Sequence, residues 1–388
     1  MADCNAPTPS PPTLELKELT ATSVIGRGAS GVAFFLRKRT SGETFALKAL
    51  SRSSVDRRSA ARESAEELGD QDYRRIWFER DVLLALRHPL LPRLRGVVTT
   101  EKIVGFAMEH CPGGDLNALR RRQTEKIFSH DIIRFYAAEL VLVIDYLHKL
   151  GIVYRDLKPE NIMIQENGHI MLIDFDLSTK LPAAGTLPET PIQKSFSART
   201  NTNMKKNMSN RYFKCFNAGT LQERPGDGAT PSPARSPDSQ TPVKSISFVG
   251  TEEYMAPEII KGKGHDFAVD WWCLGVVLYE MLYGRTPFRG QNRKETFYRI
   301  INISPEISGE PTALRDLIGR LLEKDPARRI GDNEIRLHEF FRGVDWGLLF
   351  KLARPPFIPV GAEWEEGVHG LDVEKIVEEA SAKSPAAF

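Results

Sequence analysis

The sequence predicts an α+β fold with a β-rich amino-terminal lobe and a mainly helical carboxy-terminal lobe. Near the amino end, a glycine-rich turn precedes strand-like segments at 32–36 and 44–48. Farther along, Ser129–Leu150 repeats its apolar residues at the helical period, and Val269–Leu282 is almost wholly apolar. The length of 388 residues fits two to three domains or one large two-lobed domain with extensions, and the hydrophobic share of 41% can fill a core.

Composition excludes several classes of protein. The net charge of +2 is too small to indicate a nucleic-acid partner. Cys4, Cys111, Cys215 and Cys273 show no metal-ligand spacing, which predicts reduced thiols in an intracellular protein. The first residues contain no apolar run, so we expect no signal peptide. Val269–Leu282 is shorter than the roughly 20 residues that a membrane helix needs, so we expect no transmembrane segment.

Shifts in composition divide the chain. Residues 1–13 are rich in Pro, Ser and Thr and are expected to be disordered. Residues 14–110 form the first lobe, in which 51–69 lacks apolar periodicity and is interpreted as a solvated insertion. Residues 111–340 form the second lobe, and 341–388 form a carboxy-terminal tail whose last 25 residues are expected to be loosely held.

A second insertion, 181–244, interrupts the second lobe. It is rich in Pro, Ser, Thr and Asn and carries nine Lys/Arg against four Asp/Glu. This composition predicts a flexible, basic segment. Two interpretations remain open: a solvated loop without a role, or a targeting or anionic-lipid patch formed by Lys205-Lys206 and Arg211-Tyr212-Phe213-Lys214.

The glycine-rich turn consists of Gly26-Arg27-Gly28-Ala29-Ser30-Gly31. Glycines let backbone N–H groups approach phosphates closely, because no Cβ stands in the way. Alone, the motif fits a dinucleotide-binding turn or a plain hairpin equally well. A strand rather than a helix follows it, and the next strand ends in Lys48, so the order favours a hairpin that clamps phosphates.

Lys48 requires a carboxylate that orients its side chain. The segment Tyr73–Leu86 has apolar residues at helical spacing, and Glu79 shares the face of Ile76 and Leu83. Glu79 is therefore the predicted partner of Lys48, with a solvated glutamate as the alternative. Weaker candidates for the same role are Glu63, Glu66 and Glu67.

Four polar residues after the long helix indicate phosphoryl transfer. Asp156 can accept the proton of an attacking hydroxyl, and Lys158 can neutralise charge on the moving phosphate. Asn161 and Asp174 supply oxygen ligands of the kind that Mg²⁺ prefers. A polar loop between two strands would explain scattered residues of these types but not their spacing.

Over roughly residues 18–340 the chain resembles eukaryotic protein kinases, which have a bilobal fold. The resemblance rests on the glycine turn, Ala46-Leu47-Lys48, and three further motifs: Tyr154–Asn161, Asp174-Phe175-Asp176 and Ala256-Pro257-Glu258. Lys158 after Asp156 is typical of the Ser/Thr class. Tyr-Arg-Asp, Ser-Phe-Val-Gly-Thr and Pro-Pro-Phe-Ile-Pro resemble the AGC group. Asp-Phe-Asp with the long insertion is similar to the plant AGC VIII kinases, in their UNICORN and oxidative-signal-inducible kinase branch.

The resemblance implies ATP and Mg²⁺ as cofactors and proteins as substrates. It implies that the catalytic residues are Lys48, Glu79, Asp156, Lys158 and Thr251, with Asn161 and Asp174 as metal ligands. Backbone groups of Glu109 and Cys111 would bind adenine. The residues implied around ATP are Gly26, Arg27, Gly28, Ala29, Ser30, Gly31, Ala33, Ala46, Lys48, Met108, Glu109, Cys111, Asp115 and Met163.

The resemblance also implies how the protein is regulated and how it selects substrates. Ser247 matches the activation-loop phosphosite, and Arg155 would pair with its phosphate. Asp115, Glu160 and Glu280 match positions that read arginines before the phosphorylated residue. Three carboxylates near one groove would attract a basic peptide, which agrees with this assignment.

The sequence departs from the kinase pattern at three places. Ala33 replaces a valine of the glycine-loop motif, which thins the apolar roof over adenine. Asp176 replaces a glycine; Asp tolerates unusual φ better than most residues but adds charge near the metal ligands. The end Pro385-Ala-Ala-Phe388 lacks one aromatic residue of the motif through which a phosphoinositide-dependent upstream kinase would dock.

We therefore expect an active, monomeric serine/threonine kinase that acts on proteins with basic residues before the phosphosite, in growth, development or stress signalling. We expect it in the cytoplasm, with the nucleus and the plasma-membrane periphery as alternatives. The competing interpretation is a pseudokinase or scaffold that binds partners without catalysis.

Overall fold

A five-stranded antiparallel sheet forms the amino-terminal lobe of the computed structural model. Its strands are β1 (Leu19–Gly28), β2 (Gly31–Lys38), β3 (Thr44–Ser51), β4 (Gly96–Thr99) and β5 (Ile103–Met108). Their order in the sheet is β1-β2-β3-β5-β4. The two strands predicted after the glycine turn lie within β2 and β3.

The structure describes residues 11–28, 31–60, 69–181, 244–245, 247–352, 355–359 and 370–383. The predictions that lie outside these ranges concern residues 1–10, Ala29, Ser30, Glu63, Glu66, Glu67, the insertion between 182 and 243, Cys4, Cys215 and residues 384–388.

The alternation of side chains along β3 gives the sheet its two faces. Phe45, Leu47 and Ala49 lie on one face, in a buried cluster with Leu14 and other apolar residues of the sheet. Successive side chains of a strand point to opposite faces, so Lys48 points away from this cluster. The apolar pattern of β3 therefore fixes the direction of its one lysine.

Two helices follow β3, α1 (Arg52–Ala60) and α2 (Gly69–Ala85). The prediction of a solvated insertion at 51–69 was wrong for its first part, because α1 packs against the sheet through Val55, which is 2% exposed. One buried valine leaves no periodic pattern in the sequence, which explains the error. The predicted helix at 73–86 corresponds to most of α2.

The carboxy-terminal lobe is mainly helical. It begins with α3 (Leu116–Arg121) and α4 (His130–Lys149), the latter capped by the Ser129 hydroxyl, which accepts from the Ile132 N–H. Two short antiparallel strand pairs follow: β6 (Ile152–Val153) with β9 (Thr179–Lys180), and β7 (Ile162–Ile164) with β8 (Ile170–Leu172). The remaining helices are α5 (Pro257–Ile260), α6 (Ala268–Tyr283), α7 (Arg293–Asn302), α8 (Ala313–Leu321), α9 (Asp332–Leu337), α10 (Leu349–Leu352) and α11 (Val373–Lys383).

Helix α6 is the centre of this lobe, and nearly all of its side chains are buried. It ends at Gly284, whose φ of 72° is the left-handed conformation that closes many helices. Arg329 Nη1 and Nη2 lie 2.8 and 3.0 Å from the two carboxylate oxygens of Glu258. Nη1 also donates to the carbonyl of Ala268, the first residue of α6, at 2.8 Å. Within the described ranges, no helix has both the length and the apolar character needed to cross a membrane.

The tail returns to the amino-terminal lobe. The Leu371 N–H donates to the Ala21 carbonyl at 2.8 Å. Val373 and Val377 of α11 are buried in the apolar cluster of the sheet. Two polar contacts fix the helix to the β4–β5 turn: the Thr100 hydroxyl donates to Glu374 at 2.6 Å, and Lys102 lies 3.2 Å from Glu378. The expectation of a loosely held end was therefore wrong for residues 370–383.

The amino end is also partly ordered. The Pro12 carbonyl accepts from the Val97 N–H at 2.9 Å, and Thr13 forms a parallel bridge with Val97. The prediction of disorder was therefore wrong for residues 11–13, and residues 1–10 lie outside the described ranges. Backbone hydrogen bonds to β4 hold these residues, and such bonds leave no trace in composition.

We predict that Val377→Ala lowers the free energy of unfolding by roughly 2 kcal/mol, because it removes buried methyl groups and leaves a cavity under α11. Chemical denaturation of the full chain measures this loss. The matched control is Glu379→Ala, an exposed position on the same helix, for which the change should stay within about 0.5 kcal/mol. Equal losses in both variants would contradict the packing of α11 on the sheet.

Candidate active site

A cationic side chain from β3 meets two carboxylates from other elements. Lys48 Nζ lies 2.7 and 3.0 Å from the carboxylate oxygens of Glu79 on α2, and 2.8 Å from Asp174 Oδ1 in the loop after β8. The predicted contact between Lys48 and Glu79 is therefore present. Glu79 is only 2% exposed, so the helical face inferred from Ile76 and Leu83 does point inward.

Burial and charge act in opposite directions on this group. Burial alone would lower the pKa of Lys48, but Glu79, Asp174 and Asp176 outweigh it and raise the pKa above its usual value. Burial would raise the pKa of Asp174, but the Lys48 ammonium outweighs it and holds the pKa below its usual range. The result is a permanent cation at neutral pH, fixed in position by two carboxylates.

A second cluster surrounds Asp156. Its Oδ1 accepts from the Thr251 hydroxyl at 2.7 Å, and its Oδ2 lies 2.7 Å from Lys158 Nζ. Lys158 also donates to Thr251 Oγ1 at 2.9 Å, and the Asn161 amide donates to Asp156 Oδ2 at 3.0 Å. The structure thus brings together Asp156, Lys158, Asn161 and Thr251, although Thr251 follows the long insertion.

A buried carboxylate binds the backbone of the two residues that precede Asp156. Asp270 on α6 is completely buried and accepts from the N–H groups of Tyr154 and Arg155 at 2.9 and 2.8 Å. It also contacts His148 Nε2 at 2.8 Å. The sequence reasoning missed Asp270. The available signal was a carboxylate inside an apolar helix, since a buried charge requires several hydrogen-bond donors.

Asn161 and Asp174 fit a hard divalent cation such as Mg²⁺ by their chemistry. Asn161 is buried and uses its amide nitrogen on the Asp156 carbonyl and carboxylate, so its amide oxygen is its atom suited to a metal. The lowered pKa keeps Asp174 ionised. The two residues therefore supply one neutral and one charged oxygen ligand.

The backbone around Asp176 differs from the expectation. Among the described residues other than glycine, positive φ angles occur at Lys126, Arg155 and Asp174, with φ of 63° at Asp174. Asp176 is not among them, so its position requires no left-handed conformation. Instead, its N–H lies 3.4 Å from Asp174 Oδ1, and an aspartate can make this contact as well as a glycine can.

The described members of the predicted nucleotide-binding set lie on strands of the amino-terminal sheet, in the segment after β5 and on β7. Gly26, Arg27 and Gly28 end β1, and a Cβ on Gly31 would come within 2.4 Å of the Ala49 carbonyl, so this position with φ of 134° requires glycine. Residues that pair across strands are Ala33 with Lys48 and Ala46 with Met108, while Asp115 forms a bridge with Met163.

The segment after β5 contains Glu109 and Cys111. The Glu109 carboxylate is occupied by the Arg93 N–H at 2.7 Å and by the Arg95 guanidinium at 3.0 Å. Cys111 is buried, its thiol lies 3.6 Å from Met171 Sδ, and burial, aided by Glu109, raises its pKa to about 12. The thiol is therefore protonated at neutral pH and unreactive.

Ser247 lies beside Arg155, the residue that is expected to pair with its phosphate. Arg155 Nη1 is 2.5 Å from Ser247 Oγ and 3.3 Å from Ser245 Oγ. Arg155 has φ of 69°, a strained conformation that turns its side chain away from that of Asp156. Burial lowers the pKa of the guanidinium to about 10, and the nearby charge of Arg75 acts in the same direction, so the guanidinium still stays charged at neutral pH.

The three acidic residues expected to read arginines occupy different environments. Glu160 is exposed and accepts from the Asn117 amide at 2.7 Å. Asp115 caps α3 by accepting from the Ala118 N–H at 2.7 Å. Glu280 is 8% exposed, lies 3.0 Å from Arg120 and accepts from the Tyr254 hydroxyl. Internal donors therefore already contact Asp115 and Glu280, whereas Glu160 is exposed. The expectation that all three residues read arginines stays a prediction.

Comparison with known proteins adds an independent observation. Residues 19–208 and 234–341 match the family model described as protein kinase domain. The chain is 50% identical to serine/threonine-protein kinase OXI1 of Arabidopsis thaliana over 373 residues, which covers 95% of this chain and 86% of that protein. It is 42% identical to serine/threonine-protein kinase UCN of the same plant over 365 residues, which covers 90% of this chain and 86% of that protein.

We predict that iodoacetamide at mildly alkaline pH leaves Cys111 unmodified in the folded protein, because a thiol with a pKa of about 12 forms almost no thiolate there. Peptide-resolved mass spectrometry of the native protein measures the modified fraction. The same reaction in denaturant serves as the control and should label Cys111 fully. Rapid labelling in the native state would contradict the buried position of the thiol.

Proposed function

The chain belongs to the protein kinase family, and we propose that it transfers the γ-phosphate of ATP to serine and threonine hydroxyls of protein substrates. The observation that carries this proposal is the arrangement of Asp156, whose carboxylate is held by Thr251 on one oxygen and by Lys158 on the other. The named relatives are serine/threonine kinases, which supports the same substrate class.

Asp156 acts as the proton acceptor in the proposed reaction. The substrate hydroxyl donates a hydrogen bond to Asp156, and its oxygen attacks the γ-phosphorus as the bond to the β–γ bridging oxygen breaks. The proton passes to Asp156, the phosphoryl group stays on the substrate, and ADP leaves. Lys158 lies on the same carboxylate and neutralises charge on the transferred group.

Lys48 positions the nucleotide in this proposal. Its ammonium is oriented by Glu79 and would bind phosphate oxygens of ATP. Asn161 and Asp174 would hold Mg²⁺, which neutralises phosphate charge when bound. Met108, Cys111 and Ala46 would supply apolar surface for adenine.

The alternative of a scaffold without catalysis receives no specific support. Lys48, Asp156, Asn161 and Asp174 are all present and paired with groups that keep them charged or oriented. Docking of a phosphoinositide-dependent upstream kinase, lipid contact through 181–244, a monomeric state and a location in the cytoplasm remain predictions from the sequence.

We propose that Glu160 selects arginine before the phosphorylated residue. It is the exposed member of the three acidic positions, and the Asn117 amide holds its carboxylate in place. Glu280 contributes indirectly in this proposal, because its pairing with Arg120 orders Asn117, which accepts from Arg120 at 2.9 Å. The proposal also assigns Ser247 as the regulatory phosphosite, with Arg155 as its partner.

Asp156→Asn should lower the rate of phosphate transfer by roughly 10²–10⁴-fold, because the amide cannot accept the hydroxyl proton. Transfer of labelled γ-phosphate from ATP to a basic serine peptide measures the rate. Asp131→Asn, at an exposed position on α4, is the matched control and should retain full activity. Transfer by Asp156→Asn at the wild-type rate would overturn the proposed function.

Glu160→Gln should raise KM for a peptide with arginines before the serine by about two- to fivefold, since a partly exposed ion pair contributes up to about 1 kcal/mol. The KM for a matched peptide in which glutamine replaces the arginines should not change. Glu166→Gln, an exposed carboxylate in the β7–β8 turn, controls for general loss of charge. A parallel rise of KM for both peptides would contradict the assignment of Glu160.

A further inference from the structure

A buried histidine shares its charged neighbour with Ser247. His265 lies between α5 and α6 and is 2% exposed. Its backbone N–H donates to the Ser245 carbonyl at 2.8 Å, and its carbonyl accepts from the Ser245 N–H at 2.9 Å. Its Nε2 lies 3.4 Å from Arg155 Nη1, the same nitrogen that lies 2.5 Å from Ser247 Oγ. The imidazole and the Ser247 hydroxyl therefore flank one guanidinium nitrogen.

The Arg155 guanidinium is buried, and its own hydrogen-bond partners are neutral groups. The charged groups near it are Asp270, which accepts from the Arg155 backbone N–H, and Arg75. Arg155 Nε donates to the Leu177 carbonyl at 2.6 Å, and Nη2 lies 3.4 Å from the Ser178 carbonyl. Its other contacts within the described residues are the two serine hydroxyls and the imidazole. A buried cation whose side-chain partners are all neutral is strongly stabilised by an anion, so the pocket is electrostatically prepared for one.

Four charged residues act on the His265 imidazole: Arg155, Glu258, Asp270 and Asp266. Burial lowers the pKa of His265, and Arg155 lowers it further. Glu258 of α5, Asp270 of α6 and Asp266 of the same loop act in the opposite direction but do not prevail. The imidazole is therefore neutral at physiological pH, and its Nε2 can accept a hydrogen bond from Arg155.

A phosphate on Ser247 would change this balance. It brings about two negative charges and three acceptor oxygens to the place where a hydroxyl now contacts Arg155. A negative charge beside Arg155 Nη1, which His265 Nε2 also contacts, favours a protonated imidazole. The Nε2–H of that imidazole would then be a hydrogen-bond donor. Lys244, on the segment paired with His265, is exposed, so solvent screens its charge.

We propose that His265 is a positioning residue for a phosphate on Ser247, which it binds by taking up a proton from solvent and donating its Nε2–H. The proposal rests on the proposed role of Ser247 as the regulatory phosphosite. No covalent bond to His265 forms or breaks; phosphate binding and proton binding are linked. The stabilisation is present below the raised pKa and is lost as the pH rises through it.

A titration followed by NMR tests the proposal directly. Full-length protein labelled with ¹³C at histidine Cε1 is prepared with serine or with phosphoserine incorporated at position 247. The His265 signal, assigned by its loss in His265→Gln, should show a pKa higher by about one unit or more in the phosphoserine protein. The signal of His338, a buried histidine paired with Asp316, should behave identically in the serine and phosphoserine proteins. An unchanged pKa for His265 would overturn the proposal.

The pH profile of phosphate transfer supplies a second, functional readout. In the phosphoserine protein, the activity gained over Ser247→Ala should decline as the pH rises through the raised pKa of His265. His265→Gln retains an N–H donor but cannot titrate, so its gain should be independent of pH. His338→Gln is the matched control and should keep the wild-type profile. An identical decline in His265→Gln would contradict the role of the imidazole.

The two measurements separate this proposal from the proposed function. If phosphoserine at 247 gives no more activity than Ser247→Ala, the assignment of the regulatory phosphosite fails, and the present proposal fails with it. If phosphoserine raises activity while the pKa of His265 stays constant, only the role of His265 is wrong. If Asp156→Asn abolishes transfer in either case, the catalytic assignment stands independently.

Discussion

The buried carboxylate of Asp270 is the constraint on which the rest of the site depends. A charge with no exposed surface is costly unless several donors surround it, and Asp270 receives the N–H groups of Tyr154 and Arg155 and a contact from His148. These donors come from the end of α4 and the loop after β6, so one side chain of α6 fixes both. Arg155 can then hold a left-handed φ of 69°, a conformation that costs of order 1–3 kcal/mol when nothing compensates it.

That strained backbone separates two side chains that must act in different directions. Asp156 points toward Lys158 and Thr251, where the reacting hydroxyl would lie. Arg155 points toward Ser247 and His265. Thr251 and Ser247 belong to the same short segment, so the segment contacts both consecutive residues of the loop. Only four residues of backbone therefore separate the contact of Ser247 with Arg155 from the contact of Thr251 with Asp156.

Local patterns and the resemblance to kinases together predicted most of the residues of this site. The order of the glycine turn and the two strands indicated Lys48, and helical spacing placed Glu79 on the inward face of α2, where the two side chains meet. Contacts that depend on distant elements were harder to foresee. Val55, Val373 and Val377 belong to segments with few apolar residues, and only the sheet face against which they pack makes them core residues. Asp270 was missed because an apolar helix directs attention to packing rather than to its one buried charge.

The acidic positions show why side-chain identity alone does not assign a role. Asp115, Glu160 and Glu280 carry the same charge, and the sequence offers no means of ranking them. Their neighbours provide it: Asp115 accepts a backbone N–H at the start of α3, and Glu280 is buried against Arg120 and Tyr254. A carboxylate whose oxygens already have donors gains less from a substrate arginine, because the new contact must replace an existing one. Glu160 is exposed and accepts from the neutral Asn117 amide, so a substrate arginine could pair with its charge without displacing an internal cation among the described residues. In the proposed selection of a basic peptide, Glu160 would therefore contribute most, and Asp115 and Glu280 would act by holding its surroundings in place.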